Sequence, residues 1–145
     1  MRADFPLPDL GWEPTREFWA GARRGELLIP RCTGCGAYAW YPIARCRRCG
    51  AGEFGWTRMS GHGRLFSWVV VRRAFLPAFA DQVPFVAALV ALDEDPAVRL
   101  ATRLVDCNPE TLEFDLPVRV VFRPLRFPTV EGEVLAPMFV RIDGR

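Results

Sequence analysis

The sequence predicts a mainly β protein with one short helix near its N-terminus. Three features of its 145 residues lead to this prediction. Four of the five cysteines form two Cys-x-x-Cys pairs, five runs of β-branched and aromatic residues follow them, and helix-capping patterns occur at only two places. We therefore divide the chain into an N-terminal arm and helix at 1–25, a cysteine ribbon at 26–54 and a β domain at 55–145.

The N-terminal segment predicts an extended, proline-rich arm and then a short helix. Pro14 and Thr15 open the helix, with Thr15 as the N-cap. Glu17 lies in the electropositive first turn, and Gly25 ends the helix because glycine adopts the left-handed conformation of a C-terminal cap.

The two cysteine pairs predict a metal site. Two residues between thiols let one tight turn direct both sulfurs at one point, and a glycine follows each pair. Two such turns form the tetrahedral four-sulfur set that zinc prefers, although iron fits the same ligands. A closed set leaves no position for a substrate, so we expect a structural metal that holds a ribbon too short to bury its own core. The four predicted ligands are Cys32, Cys35, Cys46 and Cys49.

The β domain predicts five strands. They cover 64–73, 85–92, 98–104, 118–122 and 138–142. Between the third and fourth strands, Asn108 and Pro109 form an N-cap and first-turn pair that predicts a short helix to about Phe114. This order is that of an OB-fold, a small Greek-key barrel, and a five-stranded sandwich would show the same pattern.

Candidate catalytic residues are few. His62, the only histidine, stands between two glycines in a predicted turn, where we expect it to face solvent. Cys107 is the remaining thiol; the predicted helix start could lower its pKa, but no second histidine can act as its base. The acidic run 93–95 is interpreted as a solvated turn, and phosphate loops, nucleotide fingerprints and nucleophile elbows are absent. We therefore expect a chain with no chemistry of its own.

Charge and hydropathy argue against several further classes of protein. All 19 basic residues are arginines, against 17 acidic residues, so Schiff-base chemistry on lysine is excluded and the net charge is +2. Four thiolates and one Zn²⁺ would bring that charge to about zero, which disfavours general binding of polyanions. The longest apolar stretch, 84–92, is too short to cross a bilayer, and the first ten residues lack a signal-peptide pattern. With unpaired cysteines, this predicts a cytoplasmic protein without membrane contact.

The order of these features resembles one known family. The motifs occur at 16–19, 25–27, 31–36, 41–50, 56, 60–68 and 84–94. Over nearly the whole chain this resembles the acyl-CoA-associated zinc-ribbon/OB-fold family, also called domain of unknown function thirty-five. The resemblance implies an N-terminal helix, a rubredoxin-like zinc ribbon and an OB barrel, and it assigns zinc to the four cysteines named above. Ile43, Arg47 and Asp95 depart from common family residues, which limits finer transfer but leaves the metal site intact.

The resemblance also implies a function. Members of the family are similar to non-catalytic subunits of thiolase-fold enzymes that act on acyl-CoA thioesters. Some bridge a thiolase and a hydroxymethylglutaryl-CoA synthase in archaea; others pair with thiolase-like lipid-transfer proteins that cleave steroid side-chain CoA esters as retro-aldolases in actinobacteria. The arginine-rich, lysine-free composition fits a GC-rich genome and favours the second group. The implied function is a zinc-binding accessory subunit in a hetero-oligomer, inactive as an enzyme on its own.

Two groups of surface residues are candidates for this role. Adjacent aromatic residues on the helix cannot easily both be buried in the chain's own core, and a long loop at 74–83 carries further apolar side chains. The expected partner contacts are Phe18, Trp19, Phe75, Leu76 and Phe79. Arg72 and Arg73, at the end of the first barrel strand, are candidates for CoA phosphates, with ordinary solvated charges as the alternative.

Two other functions stay open at this point. Zinc ribbons and OB barrels also bind single-stranded nucleic acid, and four aromatic residues could stack on bases, although the balanced charge argues against it. Those residues are Trp40, Tyr41, Phe66 and Trp68. An iron ion on the four sulfurs would instead make the chain an electron carrier.

Overall fold

The computed structural model describes residues 2–143 as a helix, a two-stranded ribbon and a β-barrel. The elements in chain order are α1 (Arg16–Arg23), β1 (Leu28–Cys32), β2 (Phe54–Arg58), β3 (His62–Val71), β4 (Phe85–Leu92), β5 (Asp95–Leu104), β6 (Pro117–Leu125) and β7 (Val134–Arg141). The predicted fold class, a short N-terminal helix, a four-cysteine ribbon and a five-stranded OB barrel, is confirmed.

Strands β3 to β7 close into a barrel in the order β3-β4-β5-β7-β6. Neighbouring strands are antiparallel except β5 and β7, which meet in parallel where Leu104 faces Phe139. Closure of the sheet rules out the sandwich alternative, because a sandwich would leave two separate sheets.

The barrel core follows the alternation of its strands. On β5, Val98, Leu100 and Leu104 are buried, whereas Arg99 and Ala101 point outward. These side chains surround Phe139, which is fully buried on β7. Burial of one such aromatic side chain contributes on the order of 2–3 kcal/mol, and the same core also includes Phe18 from α1 and Ile29 from β1.

The ribbon differs from the prediction in one strand. The aromatic run 38–41 predicts a return strand of the ribbon, but the structure has a single bridge between Arg31 and Tyr38. Ala39 N–H donates to the Pro30 carbonyl, but Pro30 has no N–H to donate back, so the ladder does not continue. On its other edge, β1 pairs with β2 over five residues, from Leu28 opposite Arg58 to Cys32 opposite Phe54.

The helix expected at 108–114 is only a 3-10 turn, Pro109–Thr111. Its start is as predicted, because Glu110 N–H donates to the Asn108 side chain at 3.0 Å. The turn does not extend, since Arg141 Nη1 donates to the Thr111 carbonyl at 3.0 Å, while the Asp115 N–H that would bond this carbonyl in an α-helix bonds Leu65 instead.

Helix α1 lies against β1 and β7. A Cβ at Gly21 would be 2.7 Å from Leu28 side-chain atoms, so glycine permits the close approach of helix and ribbon. Thr15 occupies the predicted N-cap position, but its hydroxyl makes no capping bond and the residue is buried. Gly25 has φ +76°, consistent with its predicted role at the helix end.

Candidate metal centre and surrounding surface

The four ribbon cysteines bring their sulfurs together. All four Sγ atoms lie within 4.8 Å of one another. The Cys32–Cys49 and Cys35–Cys46 sulfur pairs are 3.5 and 3.6 Å apart. A zinc ion bound at about 2.3 Å would hold tetrahedral sulfurs about 3.8 Å apart, whereas a disulfide requires about 2.05 Å. The set therefore fits a tetrahedral metal ion.

Two matching turns produce this geometry. The N–H groups of Gly36 and Gly50 each donate at 2.8 Å to the carbonyl of the first cysteine in their pair, Cys32 and Cys46. Both glycines have φ +79°, a conformation that L-residues with a Cβ rarely adopt. The sequence predicted these turns because the two residues between the thiols and the following glycine are strictly local features.

Backbone N–H groups favour thiolates at the site. Those of Cys49 and Arg48 donate to the Cys46 sulfur and lower the pKa of that thiol to about 6. At Cys49, the N–H of Ala51 also favours the thiolate, but the neighbouring sulfurs, led by Cys32, and burial outweigh it and raise the pKa to about 11. Four thiolates therefore need a cation to coexist, and the donor set supplies no histidine or carboxylate.

The predicted partner contacts on the helix need a correction. Phe18 is only 5% exposed and belongs to the main core, so it is not available at the surface. The ring of Trp40 from the ribbon covers it at 4.8 Å, and Trp19 packs edge-on at 5.0 Å. We expected that two adjacent aromatic residues could not both pack inside; the ribbon supplies the extra cover, and Trp19 is half-buried.

The predicted contacts in the loop 74–83 separate into two groups. Phe75 is 87% exposed and Leu76 is 42% exposed. Phe79 is half-buried and contacts the rings of Phe85 and Phe127 at 6.4 and 5.3 Å. The large apolar side chains that this loop leaves exposed are therefore Phe75 and Leu76.

The two arginines expected near CoA phosphate are exposed. Arg72 lies 3.6 Å from the Glu110 carboxylate, and both side chains are well solvated, so this ion pair contributes little to stability. Arg73 is also exposed. Both guanidinium groups are open to an anionic ligand.

The remaining sequence candidates do not form a catalytic group. His62 is exposed at the start of β3, whereas Cys107 is half-buried after the end of β5, and the charged groups that act on Cys107 are Arg141 and Asp106. Burial raises the pKa of Cys107, contrary to the lowering that a helix start would have caused. Within the acidic run, Glu94 accepts hydrogen bonds from Ser60 N and Oγ at 2.7 and 3.2 Å, which fixes the turn.

The aromatic residues considered for nucleic-acid binding have other neighbours. Phe66 lies under the guanidinium of Arg99 at 3.9 Å, and Trp68 packs on Phe114 at 5.0 Å. Trp40 contacts Tyr41 at 5.3 Å within the ribbon. Each of the four rings therefore packs against a neighbour in this chain.

A cleft that the sequence did not predict lies between the helix, the ribbon and the barrel. Its volume is about 370 Å³. Trp19, Trp40, Phe79 and Phe127 contribute aromatic walls, and its floor consists of 100–103 on β5 and 136–138 on β7. No local pattern marks this cleft, because it exists only where separate units of the fold meet.

Comparison with known proteins identifies the family. Residues 19–55 match the family described as "ChsH2, rubredoxin-like zinc ribbon domain", and residues 56–123 match "ChsH2, C-terminal OB-fold domain". A "DUF35 domain-containing scaffold protein" of Methanothermobacter thermautotrophicus is 30% identical over 113 residues, covering 77% of this chain and 83% of that protein. The chain belongs to the DUF35 family of zinc-ribbon/OB-fold proteins.

Two further proteins similar to this DUF35 chain have names that refer to enzymes. A "Probable enoyl-CoA hydratase alpha subunit" of Thermomonospora curvata is 34% identical over 102 residues, which cover 70% of this chain but only 31% of that longer protein. A solved structure described as "Ltp2-ChsH2(DUF35) aldolase" has a chain that superposes with a TM-score of 0.79 at 27% identity, covering 93% of this chain and 98% of that one.

Among residues 2–143, the DUF35 chain has no helix that is both long enough and apolar enough to span a bilayer.

Proposed function

We propose that this chain is a non-catalytic, zinc-binding accessory subunit of a thiolase-fold enzyme that acts on acyl-CoA thioesters. The observation that carries the proposal is the match to the Ltp2-ChsH2(DUF35) aldolase chain, which extends over 93% of this chain. The names of the scaffold-protein and enoyl-CoA hydratase relatives support the same role. Retro-aldol cleavage of steroid side-chain CoA esters is the partner reaction that the sequence resemblance favours.

The chain's own residues support an accessory role. Catalysis of acyl transfer or aldol cleavage needs a nucleophile or base in contact with the reacting atoms. Here the charged neighbours of Cys107 are Arg141 and Asp106 rather than His62, and the four ribbon thiols form a closed set. The partner would therefore provide the nucleophile and acid–base groups, and this chain would position that partner. The reduced thiols suit a cytoplasmic location.

The metal in this proposal is structural. Cys32, Cys35, Cys46 and Cys49 would hold one zinc ion, which neutralises the thiolates and keeps the ribbon fixed beside the barrel. An iron ion would give a coloured protein and an electron-transfer role. Elemental analysis and the visible spectrum of the purified chain distinguish the two metals, and we expect one zinc per chain and no colour.

The docking surface in this proposal is the tip of the loop 74–83. Phe75 and Leu76 are exposed apolar side chains, and exposed aromatic residues commonly anchor interfaces. Arg72 and Arg73 precede this tip, so a CoA ester held at the interface would bring its phosphates toward them.

Reconstitution tests the proposal. The chain is co-purified with a thiolase-like protein encoded beside it, the mass of the complex is measured by light scattering, and acyl-CoA cleavage is followed by chromatography. We expect a hetero-oligomer in which both proteins are needed for full activity. Turnover by this chain alone, or full activity of the partner without it, would contradict the proposal.

A pair of variants tests the docking surface. Phe75→Asp combined with Leu76→Asp places charge at the loop tip and should weaken partner binding at least about tenfold. Phe66→Asp is the matched control, because Phe66 is also exposed (41%) and Arg99 above its ring can pair with the new carboxylate. Equal loss of binding in both variants would reject the loop tip as the interface.

A further inference from the structure

The cleft between α1, the ribbon and the barrel has the properties of a small-molecule site. Its volume of about 370 Å³ lies within the range of ligand pockets, which are mostly apolar with few polar groups. The Thr102 hydroxyl is already used, since it donates to the Pro137 carbonyl at 2.9 Å. Most of the remaining lining is aromatic or aliphatic, so an apolar body would be the part of a ligand that fills it.

Arg103 is the charged residue among the described residues that line this cleft. Its guanidinium lies 4.1 Å from the centre of the Phe85 ring and donates to Gln82 Oε1 at 2.8 Å. Within residues 2–143 no carboxylate lies within ion-pair distance of it. A half-buried cation with a neutral partner keeps donors available for an anion.

The position of Arg103 determines where a ligand in the cleft would carry its charge. The residue borders the apolar cleft on one side and a second cleft of about 390 Å³, which includes Phe85 and Gln82, on the other. A ligand in the apolar cleft would therefore meet the guanidinium at one end only. Gln82 is fixed by its own bond to the Arg126 carbonyl at 2.5 Å, which holds the arginine in place before a ligand arrives.

We propose that this cleft binds an aliphatic carboxylate, with the chain against Trp19, Trp40 and Phe127 and the carboxylate on Arg103. The cleft volume of about 370 Å³ leaves room for an aliphatic chain of medium length. The site needs no partner protein, and it gives the chain a ligand of its own in addition to its proposed accessory role.

Titration of the full-length, zinc-loaded protein with dodecanoate tests the site. Tryptophan fluorescence reports on Trp19 and Trp40, and calorimetry gives the stoichiometry. We expect saturable binding of one dodecanoate per chain and weaker binding of dodecanol, which has the same chain without the charge. Absence of saturable binding, or equal affinity for both probes, would overturn the proposal.

Two arginines on one face of β5 form a matched pair of variants. Arg103→Gln should weaken dodecanoate binding at least about tenfold and leave dodecanol unchanged. Arg99→Gln should leave both affinities unchanged, because Arg99 also covers an aromatic ring but does not line the cleft. A misfolded variant would lose both probes, so only selective loss of dodecanoate supports the assignment. Equal effects of the two variants would reject it.

A third variant tests the chain-binding part of the cleft. Ala101 is exposed and lines the cleft, so Ala101→Phe fills space without entering the barrel core. It should abolish binding of both dodecanoate and dodecanol. Unchanged binding would place the ligand elsewhere and overturn the proposal. This result does not depend on the reconstitution of an enzyme complex, so the two proposals can fail separately.

Discussion

The ribbon and the barrel are both β structures, but different interactions hold them. In the barrel, five strands enclose fully buried side chains such as Phe139, Leu65 and Val90. In the ribbon, two five-residue strands support long turns, and its fully buried residues are Ile29 and Cys32. The ribbon therefore depends on its four sulfurs and on the few side chains, such as Ile29, that it adds to the shared core, whereas the barrel depends on apolar burial alone.

Removal of one proposed zinc ligand should give the largest difference in stability between the ribbon and the barrel. Cys46→Ser replaces a thiolate with a hydroxyl and should abolish tight zinc binding, which typically contributes about 10–16 kcal/mol in zinc-finger peptides. Hydrogen exchange should then show loss of amide protection over 28–58, while 85–104 stays protected.

Cys107→Ser is the matched control, because it also removes a thiol but lies outside the sulfur cluster. It should keep one zinc per chain by elemental analysis. One tightly bound zinc in Cys46→Ser after dialysis would contradict the assigned ligands, and loss of protection throughout the barrel would show that the barrel depends on the metal.

The opposite change removes the centre of the barrel core. Phe139→Ala should lower the free energy of unfolding by about 3–5 kcal/mol, because the surrounding side chains can fill only part of the cavity that the ring leaves. Denaturant unfolding measures this loss. At low denaturant, zinc content should stay at one per chain, since Phe139 does not belong to the ribbon.

Phe75→Ala serves as the control for this change. Its side chain is 87% exposed, so its removal should alter stability by less than about 0.5 kcal/mol. Similar destabilisation by both substitutions would mean that the barrel is not held by its buried centre.

Features that are local in the sequence could be predicted, whereas features that depend on tertiary contacts could not. The spacing of Cys32 and Cys35 fixes a turn within a few residues, and the run 98–104 predicts a strand that the structure contains within β5. Both predictions rest on short-range geometry. The return strand predicted at 38–41 shrinks to one bridge with Arg31, on the edge of β1 opposite to the one that pairs with β2. The partner on that other edge, Phe54–Arg58, lies more than twenty residues away, and no local pattern shows such a contact.

The burial of Phe18 and the presence of the apolar cleft also depend on tertiary contacts, so the sequence alone did not predict them. The sequence shows two adjacent aromatic residues, but not that Trp40 from another unit covers one of them. The cleft depends on the helix, the ribbon and two barrel strands at once. The Thr111 carbonyl is a further case, since its bond to Arg141 ends a turn that its own sequence would extend.

Substitution of glycine by alanine should destabilise the barrel and the ribbon to different extents, with a smaller difference than the changes above. Gly63 pairs with Leu92 on one side and Val118 on the other, where the barrel closes. A Cβ there would be 2.6 Å from the Ala91 carbonyl oxygen, so Gly63→Ala should cost about 1–3 kcal/mol through forced displacement of backbone. Thermal unfolding measures the effect.

Gly52 in the ribbon provides the comparison. A Cβ at this position would be 3.8 Å from its nearest neighbour, an ordinary contact, so Gly52→Ala should leave the melting temperature nearly unchanged. If Gly63→Ala were equally neutral, β3 and β4 would be able to move apart at this position, which would contradict the close approach described for Gly63.

The thiol of the barrel should differ from those of the ribbon in its reactivity. Burial raises the pKa of Cys107, with Arg141 opposing and Asp106 adding to the shift. A raised pKa means a smaller thiolate fraction at any given pH, and the thiolate is the reactive form. In the zinc-loaded protein, Cys107 should therefore react slowly with iodoacetamide near pH 7. Because its pKa is raised, the rate should still be rising when the pH passes the ordinary pKa of cysteine. Mass spectrometry gives the rate, and Cys107→Ser should show no labelling until a chelator releases the four ribbon thiols. Rapid labelling of Cys107 at pH 7 would mean that it is ionised, which would restore it as a candidate nucleophile and weaken the case for a subunit without chemistry of its own.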